Sequence, residues 1–233
     1  MEKIKQQRTI LLVAGIAVVA AVVLIGAQIL AVAPSSDSPA ARYENIVQER
    51  LPDGGFVIGN PEAPITVVEF ADFACPHCQN YALEMKRFVD EYVATGKARY
   101  EYRMFISGAD PTYGTYTAQL AECANEQREG AFWPAHDVLF EMGRTQGRFN
   151  DQTARRLADR LNLNYSNLLA CAQNAKQHET DVRLGLSLNI QSTPTLMVRF
   201  GNSTPQFISV GPQTYNRGGV PYEILRLVVE GAQ

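Results

Sequence analysis

The sequence predicts an α/β domain interrupted by an inserted helical domain and preceded by an N-terminal transmembrane helix. Three observations carry this. Runs rich in β-branched and aromatic residues at 65–74, 98–107, 193–201 and 205–211 read as strands. Between 110 and 188 the apolar spacing is helical throughout. From Ile10 to Val32 the chain is "ILLVAGIAVVAAVVLIGAQILAV", without a charge and with Gln28 as its one amide.

Taken in order, residues 1–9 form a short basic n-region and 10–32 the span. As a helix the span would be roughly 34 Å long, enough to cross a bilayer core. A cleavable signal peptide is the rival reading, with "AVA" at Ala31 to Ala33 as its cleavage site. The apolar run exceeds the length usual for a signal peptide, which favours an anchor. Lys3, Lys5 and Arg8 precede the span, and no Lys or Arg follows it before Arg42. Positive flanks stay cytoplasmic, so the bulk of the chain is expected outside, in the periplasm or at the cell exterior, or secreted if cleavage follows Ala33.

Residues 33–55, "APSSDSPAARYENIVQERLPDGG", read as a linker, with a short helix near Tyr43 to Arg50. Residues 56–109 hold the first half of the domain. "ITVVEFADFA" from Ile65 is a buried strand. Cys78, Tyr81, Met85, Phe88 and Tyr92 then follow at helical steps, and the helix stops near Gly96. "ARYEYRMFIS" from Ala98 is the next strand, so the order is that of a parallel βαβ unit. Residues 110–188 are the helical insert, with Asp151 and Ser166 as expected N-caps. "SNLLACAQNAKQHETDVRLGL" reads there as one helix. Residues 189–233 complete the domain with a hairpin, "TPTLMVRFG" then "PQFISVG", and a last helix in "VPYEILRLVVEG".

The chain has 233 residues and a net charge of −3 with signs interspersed. That length suits one domain with an insertion and a core of its own. No basic block or stripe is present, so nucleic acid is not an expected partner.

The chemistry centres on "CPHC", Cys75 to Cys78, where the first strand gives way to the first helix. Two such cysteines can hold a metal, bridge each other, or exchange a disulfide. C-x-x-C beside a βαβ pattern reads as a thioredoxin-like redox motif. Pro76 suits the first helical position, where a missing N–H costs nothing. The free N–H groups and dipole of the helix favour a thiolate on Cys75. Cys78 then resolves the mixed disulfide. His77 offers a proton-dependent charge or a hydrogen bond to the Cys75 sulfur.

"GNPEAPITVVEFADFACPHC", "CANEQREGAFWPAHDVLF" and "STPTLMV" together resemble the DsbA-like thiol–disulfide oxidoreductases, including membrane-tethered bacterial and archaeal members. The resemblance runs from about Gly59 to Glu230. It implies a thioredoxin fold with an inserted helical domain. It implies that Glu69, six positions before Cys75, is a buried acid that assists proton movement at Cys78; a solvent-facing strand-end Glu is the alternative. It implies a cis peptide at Thr193–Pro194, with Thr193 against the Cys75 sulfur and backbone pairing for an extended substrate. Ser192 stands where the family commonly has glycine, a departure bearing on loop flexibility.

For Cys123 and Cys171 the resemblance implies a structural disulfide; two free thiols or a second redox centre are the other readings. A structural zinc site wants four ligands, commonly as two close pairs. This chain offers one close pair and scattered His136 and His178, so no metal is expected. Those two histidines read as ordinary polar or capping residues. Trp133, Phe132 and Phe140 are core or the lining of a peptide groove.

The functional expectation is an extracytoplasmic enzyme that donates its Cys75–Cys78 disulfide to folding exported proteins. Disulfide reductase or isomerase is the alternative, and a non-catalytic chaperone with structural disulfides a third. The disulfide carries the electrons, so no organic cofactor is expected. The resemblance implies a membrane quinone-linked reoxidase, DsbB- or VKOR-like, as partner. The linker is too short for a dimerisation domain, so the chain is expected to be a monomer.

Overall fold

The computed structural model describes residues 39–107 and 110–232. The apolar run 10–32, and with it the expected membrane helix, lies outside the described residues. Among the described residues no helix is long and apolar enough to cross a membrane.

The fold is built around β3 (Ile65–Ala71), all seven of whose residues are buried. A strand covered on both faces has no polar side to show, which is why it reads as an apolar run. β3 pairs in parallel with β4 (Arg99–Met104) and antiparallel with β5 (Thr195–Phe200). β1 (Gln48–Arg50) and β2 (Phe56–Ile58) extend one edge, and β6 (Gln206–Val210) and β7 (Gln213–Tyr215) the other. The order is β1-β2-β4-β3-β5-β6-β7.

Successive β3 side chains serve opposite faces. Ile65, Val67 and Ala71 join the larger core with α1 (Pro76–Phe88), the insert helices and α7 (Tyr222–Glu230). Val68 and Phe70 join a smaller cluster with Phe105, Ile190 and Met197. Glu69 shares the parity of the first set, so it points into the larger core.

The insert contributes α2 (Pro111–Gln127), α3 (Phe132–Gln146), α4 (Thr153–Leu161), α5 (Tyr165–Ala172) and α6 (Gln177–Ser187). Cys123 on α2 and Cys171 on α5 form a disulfide, with Cα atoms 5.7 Å apart. Trp133, Phe132 and Phe140 are buried core residues, each at most 3% exposed.

Four local expectations are corrected. The linker 33–55 does not run free to its end: the helix near Tyr43 shrinks to a 3-10 turn at Ala41–Tyr43, and Gln48–Arg50 forms β1. Its polar composition hides an anchor, because Tyr43 is buried against Trp133, while Phe56 just beyond it stacks on Phe132 at 3.6 Å. The helix expected from Ser166 is two helices, broken between Ala172 and Gln177. The N-cap of α5 is Asn164, whose side chain accepts the Asn167 N–H, and not Ser166. For α4 the N-cap is Gln152, with Asp151 one residue outside the cap.

One polar cluster was invisible in the sequence. Arg103 on β4 is 1% exposed and bonds Glu101 (2.6 Å), Asp181 of α6 (3.1 Å) and Asp53 of the β1–β2 loop (3.0 Å). Arg199 of β5 pairs with Glu101 from the far side. A buried charge persists only when paired and hydrogen-bonded. Here the pairing ties both halves of the sheet to the last insert helix.

Candidate active site

Cys75 is the N-cap of α1, with extended backbone (φ −79°, ψ 119°) and Pro76 directly after it. Its N–H is held by the Asp72 carbonyl (3.0 Å), and its own carbonyl accepts the Gln79 N–H (3.0 Å). This loop presents the Cys75 sulfur to the amides that open the helix. The hydrogen bonds from the Cys78 thiol, from the Thr193 side chain and from the Cys78 and His77 N–H groups outweigh burial. They bring the Cys75 pKa down from 9.0 to about 5. Cys78 is fully buried, and burial pushes its thiol far above the ordinary range, with the neighbouring Cys75 adding to the effect. The two sulfurs thus take opposite roles, a thiolate at the mouth and a thiol beneath it.

Thr193 and Pro194 sit opposite. Their peptide bond is cis, and the Cys75 thiol donates to the Thr193 carbonyl at 3.6 Å. His77 and Pro76 are exposed, and what His77 gives the sulfur is its backbone N–H. The His77 side chain instead lines an open groove of about 560 Å³ with Tyr81, Thr193, Pro194, Arg217 and Gly219. Tyr81 pins the far wall, donating to the Val220 carbonyl (2.7 Å) and accepting its N–H (3.2 Å). The wall at 217–219 was not foreseen, because nothing in its composition ties it to residues so distant in sequence.

Glu69 is 1% exposed and lies close enough to Cys78 for a charge on it to raise the Cys78 pKa. Burial lifts the Glu69 pKa to about 7, opposed by the Tyr100 hydroxyl that donates to Oε2. Glu69 Oε1 is buried without a partner.

Asp72 was also missed. It is fully buried beneath the loop and accepts from the Ala74 N–H (2.9 Å), the Ser107 N–H (3.0 Å) and the Ser107 hydroxyl (3.2 Å). Burial, with the Cys75 charge as a smaller cause, raises its pKa. The signal available in the sequence was an Asp between two apolar residues at the end of a strand.

Cys123 and Cys171 do not line the groove, and neither do Trp133, Phe132 and Phe140. His178 is largely buried, which lowers its pKa. Among the described residues no three His, Cys, Asp or Glu side chains gather as a metal site.

A family model described as thioredoxin matches residues 52–203. The Na(+)/H(+) antiporter NhaA 3 of Salinispora tropica is 33% identical over 150 residues, 63% of this chain and 22% of that protein. This chain therefore spans about a fifth of that relative's length. Disulfide bond formation protein D of Bacillus subtilis is 29% identical over 154 residues, 61% of this chain and 66% of that protein. Among solved structures, a thioredoxin-like oxidoreductase from Silicibacter pomeroyi superposes with a TM-score of 0.60 at 25% identity, covering 78% of this chain and 93% of its own.

Proposed function

Because the chain belongs to the thioredoxin family, through the match over residues 52–203, we propose that it is a thiol–disulfide oxidoreductase that donates the Cys75–Cys78 disulfide to exported proteins as they fold. The observation that carries this reading is the split between the two sulfurs, Cys75 held near pKa 5 and Cys78 held protonated. A substrate thiolate attacks the Cys75 sulfur, and Cys78 leaves and takes up a proton. A second substrate thiolate then attacks the substrate sulfur of the mixed disulfide. The Cys75 thiolate departs readily, because a low-pKa thiol is a good leaving group. Stabilising that thiolate favours the reduced enzyme, which makes the disulfide an oxidant.

The groove beside Cys75 suits an extended peptide, with the Thr193 backbone as its pairing edge. The disulfide itself carries two electrons, so the exchange uses no organic cofactor. The likeness to a Bacillus disulfide bond formation protein supports the direction. The apolar run ahead of the domain supports an extracytoplasmic site of action with a membrane anchor. A membrane quinone-linked reoxidase would restore the disulfide.

The test is the Cys75–Cys78 reduction potential of the full chain in glutathione buffers. A value near −120 mV, on the order of a strong dithiol oxidase, is expected. A value near −270 mV, on the order of thioredoxin, would reverse the electron flow and make the protein a reductase.

A further inference from the structure

Opening the Cys75–Cys78 bond asks for a proton where water does not reach. Cys78 leaves as a thiolate at 0% exposure, and closing the bond requires the same proton to depart. A line of polar side chains runs from this point to the surface. Glu69 on β3 lies near enough for its charge to raise the Cys78 pKa, with Oε1 unpartnered and Oε2 bonded to the Tyr100 hydroxyl of β4. The Tyr100 oxygen lies 3.5 Å from His136 Nε2 on α3. His136 Nδ1 lies 3.1 Å from Asp137 Oδ1, and the Asp137 side chain is 21% exposed. We propose that Glu69, Tyr100, His136 and Asp137 form the route by which a proton passes between solvent and the buried Cys78 sulfur during disulfide exchange. The inference rests on the exchange reading above.

Hydrogen-bond arithmetic supports the route. With Glu69 protonated, its hydroxyl donates to Tyr100, Tyr100 donates to His136 Nε2, and His136 Nδ1–H donates to Asp137. Moving each proton one place outward leaves a Glu69 carboxylate accepting from Tyr100. Tyr100 then accepts from His136 Nε2–H, and Asp137 carries the proton. Every link is satisfied in both arrangements, and one proton has crossed from Glu69 to the surface. On closure the Cys78 thiol, which does not hydrogen-bond Glu69 in the resting structure, must first approach it; it then passes its proton there and attacks as a thiolate, and on opening the direction reverses.

At the Glu69 end no other hydroxyl continues the line. Tyr81 and Tyr102 are the other titratable side chains near Glu69. The Tyr81 hydroxyl is committed to the Val220 backbone, and that of Tyr102 is buried with no partner to continue a chain. Rings of Tyr102 and Phe140, each centred 4.8 Å away, flank the His136 ring edge-on. At the outer end Arg42 approaches Asp137 (3.9 Å), and the buried Tyr43 side chain hydrogen-bonds it as well. Glu69, with a pKa of about 7, gains or loses its proton near neutrality at little cost. The Tyr100–His136 link is long and must close by about half an ångström for transfer.

The experiment mixes the reduced full chain with oxidised glutathione, quenches with acid, and counts mixed disulfide and closed disulfide by mass. Tyr100→Phe and Asp137→Asn are compared with the natural chain from pH 5 to 9. Formation of the mixed disulfide, which uses Cys75, should be unchanged in both. Closure by Cys78 should slow at least about tenfold in both and lose its dependence on a group titrating near neutrality. A purely structural defect would not confine the loss to the Cys78 step. Closure at the natural rate with an unaltered pH profile in either variant overturns the route. If Tyr100→Phe does not fold, Asp137→Asn at the partly exposed end decides alone. Failure of the natural chain to form any mixed disulfide would instead overturn the exchange reading itself.

Discussion

Titrating Cys75 tests the physical basis of the proposed activity. The perturbation is pH, lowered from 7 to 4 on the reduced and oxidised proteins side by side. With a folded-state pKa of about 5 against 9.0, the ratio of thiolate to thiol at pH 7 is about 100 to 1, where an unperturbed thiol would give the inverse. By linkage this favours the reduced fold by about 3 kcal/mol at most, a figure that solvent screening at the groove mouth reduces. In potential that is on the order of 60 mV. The folded pKa lies below the unfolded one, so the stabilisation is complete above pH 9, partial at 7, and lost as pH falls through about 5. The oxidised form lacks this titration, so the stability difference between the forms isolates it. Iodoacetamide alkylation against pH locates the midpoint, and urea unfolding of each form gives the energy. An alkylation midpoint at 8 or above, with a pH-independent difference between forms, would refute the reasoning.

Two further changes probe the scaffold. Replacing Cys123 and Cys171 together by serine opens a loop of sequence separation 48, which should cost about 4 kcal/mol by the chain-entropy estimate. Urea midpoints measure the loss, and an unchanged midpoint would show that the bridge adds nothing. Arg103→Met leaves Glu101 and Asp181 buried with one cation fewer, and a loss of about 3–5 kcal/mol is expected. Chemical denaturation reads it directly; a loss below about 1 kcal/mol would mean that water or protonation relieves the cluster.

The Cys75–Cys78 pair was legible because its chemistry is local. A strand end, two cysteines and a proline at the first helical position all fall within one turn. Glu69 was placed by resemblance rather than by periodicity, since a glutamate near a strand end reads as solvent-facing. Arg103 and Glu101 were illegible for the same reason: alternate charges in a strand signal an exposed face. Here they are buried because Asp181, Asp53 and Arg199 arrive from distant segments. The linker was misread because two aromatics outweigh a polar composition once Trp133 and Phe132 supply partners. His136 read as an ordinary polar residue, and only the folded chain sets it between Tyr100 and Asp137.

The central strand also dictates an order of events during synthesis. Thr66 faces Arg99 on one side and Arg199 on the other. The first partner is close behind it in the chain, and the second emerges only when most of the polypeptide exists. Pairings this distant in sequence form slowly, because the loop between them must be closed before any contact rewards it. The Thr193 side chain, which helps to lower the Cys75 pKa, rides on the late partner. A nascent chain therefore carries Cys75 and Cys78 without this contact, and the thiolate gains its full stabilisation only when the last third of the molecule docks.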